Sequence, residues 1–438
     1  MRRVAALLAP LALTLALAAA PAQAQRGVDD AAESAPTPPV PTPAPAPTPA
    51  PPETPRQLEP DLYLEAMQAI AEGRNNDASS TLARMLAYGP RHAGEWLDLA
   101  LLQCALGHAD EAEQLFQHIE TRFDPPQGIR DIIVQQRQQG CAQWRAQRQW
   151  SLNLARGHER NVNQGVNLDT YNIGGDGRDY ELEARYRPQA DRYTTVALDL
   201  MSDLTQNGDL GFVQLYARHY DRMDEYNTIS LFAGADHPWR YRHWRLRTSA
   251  LVGALSLGGR LYQAQGQLQL RVTLPLALPP SLEVSVLGGL SHVNYRTLSD
   301  FDSNISELRG MLAYRREARQ AQLSLGWLND HAVSARPGGN RAGWSLGLYG
   351  RLPLGRQFEG ELDLTRQHWV GSNVYSPGLI DQLRRQDNTT LRAALSYPLG
   401  TSSALQLEWR QVRNRENIPI FQYDNKVLQL SWRWHGGR

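Results

Sequence analysis

Few residues of this 438-residue chain are spaced for chemistry. The only two cysteines, Cys104 and Cys141, stand 37 positions apart. That is close to one period of the helical repeat described below, so they are expected on neighbouring units of one stack and joined as a disulfide; two separate buried thiols are the alternative. Two Cys without paired His do not make a zinc site. For hydrolysis a Ser-His pair would be needed near one another. Ser291 adjoins His292, and His331 and His368 fall toward segment ends, but no motif surrounds them. Adjacent residues of a strand point to opposite faces, which argues against that pair. The expectation is a non-enzyme that needs no cofactor. A third group consists of Glu359, Glu361, Asp363, Arg366, Glu408 and Arg410. Such a ladder serves more often as a rigidifying ion-pair network along a polar barrel lumen than as a selectivity filter.

The elements that would position these residues differ along the chain. Met1-Arg2-Arg3, an apolar run from Val4 to Ala20, and Ala22-Gln23-Ala24 have the parts of a secretory signal peptide (residues 1–24), with cleavage expected after Ala24. Residues 25–60 are rich in Pro, Ala and Thr and read as a disordered or polyproline-II spacer. From Asp61 a helical pattern repeats. Leu62 matches Trp96, Ala66 matches Ala100, Gly73 matches Gly107, Ala78 matches Ala112, Leu82 matches Phe116 and Met85 matches Ile119. Every pair lies one 34-residue period apart, and the pattern resembles the tetratricopeptide repeat. The small residues let paired helices approach closely, and Gly73 and Gly107 end the first helix of each unit. A third helix, about Ile129 to Arg148, is expected to cap a helical domain spanning 61–148. Trp96 is the position there to test for partner contact, although its place in the repeat favours packing.

From Trp150 the period becomes two. In Leu405-Gln-Leu-Glu-Trp-Arg410 the apolar and polar residues separate onto opposite faces; Phe358 to Thr365 and Tyr180 to Arg187 do the same. Short breaks at Pro279-Pro280, Arg315 to Glu317, Leu354 to Arg356 and Leu399 to Thr401 alternate with long ones at Ser291–Ser303, Ala335–Ala342 and Gly371–Asn388. This is the pattern of an outer-membrane β-barrel over 149–438. A soluble sandwich would need an apolar inner face, whereas one face of these strands is charged throughout. Trp327, Trp344, Trp369, Trp409, Trp432 and Trp434 are expected at the lipid interface. Fifteen alternating segments are visible, the region Asn227–Leu270 being ambiguous, and a bacterial barrel requires an even number. Fourteen strands is the better count and sixteen the alternative. The fold class is thus α + β and multidomain, a small all-α helical domain followed by an antiparallel transmembrane β-barrel.

Composition agrees once it is located. Lys and Arg total 45 against 45 Asp and Glu, with 42% apolar residues and a mean hydropathy of −0.49. Balanced charge argues against a nucleic-acid partner. No stretch after residue 24 approaches the ~20 apolar residues of a spanning helix. Only Lys426 among the basic residues is Lys, and the Arg residues interleave with carboxylates along the polar strand face.

In layout, residues 61 to 438 resemble the surface lipoprotein assembly modifier (Slam) family. Local similarities are Trp150-Ser-Leu-Asn-Leu-Ala-Arg-Gly-His-Glu-Arg-Asn-Val-Asn163, Leu257-Gly-Gly-Arg-Leu-Tyr262 and Asn417-Ile-Pro-Ile-Phe-Gln-Tyr-Asp-Asn-Lys426. The resemblance implies a fourteen-stranded barrel and delivery of a secreted or surface lipoprotein substrate across the outer membrane, with the periplasmic helices engaging it. Outer-membrane lipid and the barrel assembly machinery are the other expected partners. Transport would use the polar lumen or a lateral opening between first and last strands. An exopolysaccharide export porin is the alternative reading, followed by an outer-membrane barrel enzyme.

Overall fold

The computed structural model describes residues 60–71, 75–87, 90, 92–141, 146–171, 180–205, 208–241, 244–355 and 357–437. The expected signal peptide and Pro-rich spacer lie outside these residues, as does Gly73.

Five helices come first: α1 (Pro60–Ala71), α2 (Asn75–Ala87), α3 (Ala93–Ala105), α4 (Ala109–Arg122) and α5 (Gln127–Gln139). They pack as the 34-residue pattern demands. Ala66, Ala78, Ala100 and Ala112 are all buried where helices meet, with Leu82, Met85, Phe116 and Ile119 beside them. Each unbranched Ala removes side-chain bulk at the closest approach. Gly107 takes φ +86° just past α3, a conformation that an L side chain resists. The capping helix, α5, is shorter than the sequence suggests. It stops at Gly140, whose φ of +74° ends the α-helical run and whose N–H closes on Gln136 O at 2.9 Å. Cys141 follows and is bonded to Cys104, so one half of the disulfide sits on α3 and the other beyond the end of α5.

The remainder is strand: β1 (Arg148–Glu159), β2 (Thr170–Tyr171), β3 (Tyr180–Glu181), β4 (Asp191–Asp203), β5 (Leu210–Tyr220), β6 (Thr228–Tyr241), β7 (Trp244–Leu257), β8 (Arg260–Thr273), β9 (Leu282–Tyr295), β10 (Ser303–Arg316), β11 (Arg319–Ala332), β12 (Arg341–Leu354), β13 (Phe358–Ser376), β14 (Ile380–Pro398), β15 (Ser403–Glu416) and β16 (Tyr423–Gly437). All but β2 and β3 form one closed antiparallel barrel of fourteen strands, β1 meeting β16. Closure satisfies every strand edge, which a lipid environment requires. Cross-strand partners share a face, so one register fixes all the others. Leu308, Leu325, Leu362, Leu395, Leu407 and Leu430 stand exposed on the outer face, while Ser324, Ser345, Gln406 and Ser431 are buried on the inner one. An exposed apolar exterior around a polar interior places the barrel in the outer membrane and the helices, which feed its N-terminal edge, in the periplasm. Among the described residues no helix is long and apolar enough to cross a membrane.

Three expectations are corrected. Tyr180 to Arg187 is no barrel strand: only Tyr180–Glu181 pairs, with Thr170–Tyr171, and Ala184–Tyr186 turn as a 3-10 helix. Pro188 follows, and eight alternating residues are too few to span. Gly371–Asn388 is no loop, because β13 and β14 continue to Ser376 and from Ile380, joined by residues 377–379. Between Asn227 and Leu270 the connection lies between Tyr241 and Trp244, and a two-glycine turn, Gly258-Gly259 at φ +56° and +77°, joins β7 to β8.

Candidate functional site

One set of lumen charges lies on the wall formed by β12 to β16. Arg351 pairs with Glu359 at 2.6 Å. Arg392 bridges two strands, reaching Glu361 at 3.0 Å and Glu408 at 2.8 Å. Asp363 and Arg410 flank Arg392 in register, and Thr365 Oγ1 donates to Asp363 Oδ1 at 3.3 Å. Glu359, Glu361, Asp363, Glu408 and Arg410 therefore share the inner face. Arg366 does not. It lies in register with Leu346 and Leu325 on the outer face, pairs with Asp387 at 3.2 Å and stands 5.7 Å over the Trp344 ring. The reason is parity: 359, 361 and 363 are odd, 366 is even, and a strand alternates. Trp369 is displaced the same way. It faces inward, buried beneath the Arg341 guanidinium at 5.0 Å, whereas Trp327, Trp344, Trp409, Trp432 and Trp434 keep the outward register.

The opposite wall mixes amides with ion pairs of its own: Arg247 pairs with Asp236 at 3.6 Å, Arg245 with Glu283 at 2.9 Å, and Arg309 with Glu307. On β8 the inward positions include Gln263, Gln265, Gln267, Gln269 and Arg271, opposite the outward Leu268 and Leu270. Gly289, Gly326 and Gly347 face inward on the neighbouring strands, Gly326 beside the Arg309–Glu307 pair, with Ser324 Oγ occupying the space a side chain at 347 would need. Ser291 faces the lumen beside Gln267, and His292 faces outward, its Nδ1 2.8 Å from Asn304 Oδ1. His331 is in register with Asn304 on the same outer face, and His368 stacks on Trp344 beside Asp387. No pairing of Ser291 with His292, His331 or His368 is formed.

Three ionic clusters near the outer rim carried no local sequence signal. Asp330 is fully buried and held by Arg336 at 3.1 Å and by Arg341. Arg384 grips Glu416 with two hydrogen bonds of 2.6 and 2.7 Å, its guanidinium 4.4 Å from the Phe421 ring. The third joins β1, β5 and β16. Glu159 accepts from Asn425 Nδ2 at 2.6 Å, Tyr220 OH at 2.7 Å and Arg218 Nη1 at 3.0 Å. Each fixes a strand edge that a loop must leave; a buried carboxylate is tolerated only where its oxygens are filled in this way.

In the helical domain, Trp96 packs between the two core clusters, with Nε1 donating to Pro90 O at 3.1 Å and its ring 4.6 Å from His118. It is a packing residue. Arg137 of α5 spans Glu113 and Glu120 of α4 at 2.8 and 2.9 Å. Its hydrogen bonds hold the Glu113 carboxyl below the usual carboxylate range. Burial, reinforced by Glu95, pushes the Asp98 carboxyl up.

The tetratricopeptide repeat family matches residues 69–126. No curated protein matches the chain. Among solved structures, the outer membrane channel DcaP of Acinetobacter baumannii is similar at 9% identity and a TM-score of 0.37, covering 66% of this chain and 97% of that one. An anion-selective porin from Comamonas acidovorans aligns at 10% identity and 0.35, covering 67% and 99%. Pseudomonas aeruginosa OprD aligns at 12% and 0.33, covering 66% and 95%. The closed strand ladder, rather than so loose an overlap, establishes the barrel.

Proposed function

We propose that this protein delivers partner proteins, secreted or lipid-modified, across the outer membrane to the cell surface, with the helical stack engaging the cargo and the polar lumen supplying the route. One observation carries the reading: a disulfide-tied stack of repeat helices continues within ten residues of its last helix into a closed, polar-lined barrel. Stacked repeats of this kind present extended concave surfaces used for binding. A chain that couples such a surface to a membrane passage is organised for handing something over. The ion pairs along β12 to β16 are paired within the wall, so they stiffen it and leave recognition to the helices.

The test is co-expression with the product of a neighbouring gene for a secreted or lipid-modified protein. Protease-accessible product on intact cells is expected to rise when the full chain is present. Equal exposure with and without it would end the delivery reading, and surface polysaccharide lost on deletion would favour export of that polymer instead.

A further inference from the structure

We propose that the junction between β1 and β16 is a locked seam that stays shut during transport, so that cargo crosses through the lumen and is a polypeptide without a lipid anchor. This rests on the delivery reading and narrows its cargo class. A barrel's first and last strands are the natural place for a lateral gate, and a gate should pair poorly or be free of side-chain ties. This junction has the opposite character. Its register runs unbroken from Gln149 opposite Gly437 to Glu159 opposite Val427, whereas β7–β8 and β13–β14 carry shifts.

Side chains then fasten it from both sides. Gly157 of β1 lies in register with Tyr193 of β4 and with Gln429 of β16. A Cβ at 157 would sit 2.5 Å from the Tyr193 ring. Because there is none, the ring crosses β1 and its hydroxyl donates to Gln429 Oε1 at 2.8 Å. Tyr193 thus ties β4 to β16 over the strand between them, the glycine–aromatic pairing that pins strand register. Two residues nearer the rim, Glu159 collects Asn425 of β16 together with Arg218 and Tyr220 of β5. Past the strand end, Asn161 N donates to Asn425 Oδ1 at 3.1 Å and Asn161 Nδ2 to Asp424 O at 3.0 Å. Glu159, Asn161, Tyr193 and Asn425 are each under one-tenth exposed. Parting the seam would break the bonds to Gln429, Asn425 and Asp424 together and leave buried polar groups of β16 without them, while Arg218 and Tyr220 stay with Glu159 on the β1 side.

The cargo class follows from the lumen wall. An acylated protein must keep its chains out of water, so it needs a side exit to lipid before its polypeptide reaches the surface. With the seam shut, the acyl chains would have to pass Arg351, Glu361, Arg392 and Glu408 instead. An unanchored, extended polypeptide meets no such obstacle.

The experiment locks the seam. Arg160 N bonds to Lys426 O, so 160 and 426 are a hydrogen-bonded pair, and alternation makes Ala155 and Ser431 a non-hydrogen-bonded one. Such pairs bring their Cα atoms to about 4.5 Å, within disulfide reach. Full-length Ala155→Cys/Ser431→Cys, with each single variant as control for reductant effects on Cys104–Cys141, is co-expressed with the neighbouring gene's product. That product carries either a lipidation signal or a simple secretion signal. The locked protein is expected to expose the unacylated form within about twofold of the unlocked one, and neither to expose the acylated form. A tenfold loss on locking, regained on reduction only in the double variant, overturns the proposal, and so does surface delivery of the acylated form. If the unlocked protein exposes neither form, it is the delivery reading that fails. A cargo-free measurement still judges the seam: Gly157→Val is expected to lower the temperature at which the folded gel band disappears, and Gly310→Val, with nothing nearer than 4.0 Å, is not. Equal behaviour of the two variants overturns the lock.

Discussion

The helical stack and the barrel solve opposite problems with the same residues. In the stack Leu99, Ala100 and Ile119 are fully buried and the charges lie outside. Around the barrel Leu308, Leu325 and Trp327 are exposed, while Gln406, Ser431 and Asp330 are buried within. Removal of apolar surface from water drives the first arrangement. In the second, lipid already surrounds the leucines, and the closed hydrogen-bond ladder gives the structure its integrity. A leucine's contribution is therefore set by what replaces it when it is cut away: in the stack a void, on the barrel a lipid chain.

The largest effect should come from that difference. Leu99→Ala leaves a cavity against Ala66, Ala69 and Leu102 of the same cluster and is expected to cost about 2–5 kcal/mol, read as earlier loss of helical signal on heating. Leu325→Ala, on the barrel exterior, should change barrel unfolding far less, because lipid or detergent fills the space. Equal costs at the two sites would break the comparison.

Charge sharpens it next. Leu325 is near the middle of β11, so Leu325→Arg places a guanidinium at about the bilayer centre, at a cost of about 2–4 kcal/mol. Gln322→Arg, three residues away on the lumen face, should stay within about 0.5 kcal/mol. Denaturant titration of both variants in lipid vesicles reads the gap; no gap would mean that the inner and outer faces are misassigned.

These two regions were also legible to different degrees. The 34-residue spacing exposed the stack because close packing admits only small residues at 66, 78, 100 and 112, and that demand repeats at fixed intervals. Alternation exposed the barrel strands and fourteen was the count favoured, since pleating forces it on every wall residue. Alternation is not sufficient, however: Tyr180 to Arg187 has it and lies in a loop closed by Pro188. Nearness in sequence does not fix the face either: Arg366 points outward and Trp369 inward because of their parity on β13. The pairing across the seam had no local signal. Glu159 and Asn425 are 266 positions apart, and Gly157 gains its meaning only when β4 and β16 lie on either side of it. Chain closure creates that site.

The smallest expected effect concerns the charged contacts by which Arg137 ties α5 to α4. Arg137 holds Glu113 and Glu120 on the water-facing side of the stack, where burial does not amplify the interaction as it does at Glu159. The Glu113 carboxyl is held low chiefly by the Arg137 hydrogen bonds. A depressed folded value means that its contribution is complete above the ordinary Glu value of about 4.3 and disappears as pH falls through the folded one. Because both partners are about one-third or more exposed, solvent screening limits the pair to about 0.5–1 kcal/mol. Arg137→Met keeps an apolar stem and removes the guanidinium, which also stands 5.9 Å from the centre of the Phe116 ring. Its melting difference from the unaltered protein should be present at pH 7 and shrink toward zero at pH 3, and 1 M salt at pH 7 should shrink it too. A difference that persists unchanged at pH 3 would mean that Arg137 acts through packing, and the stack's exterior would then resemble its core more than it resembles the lumen wall.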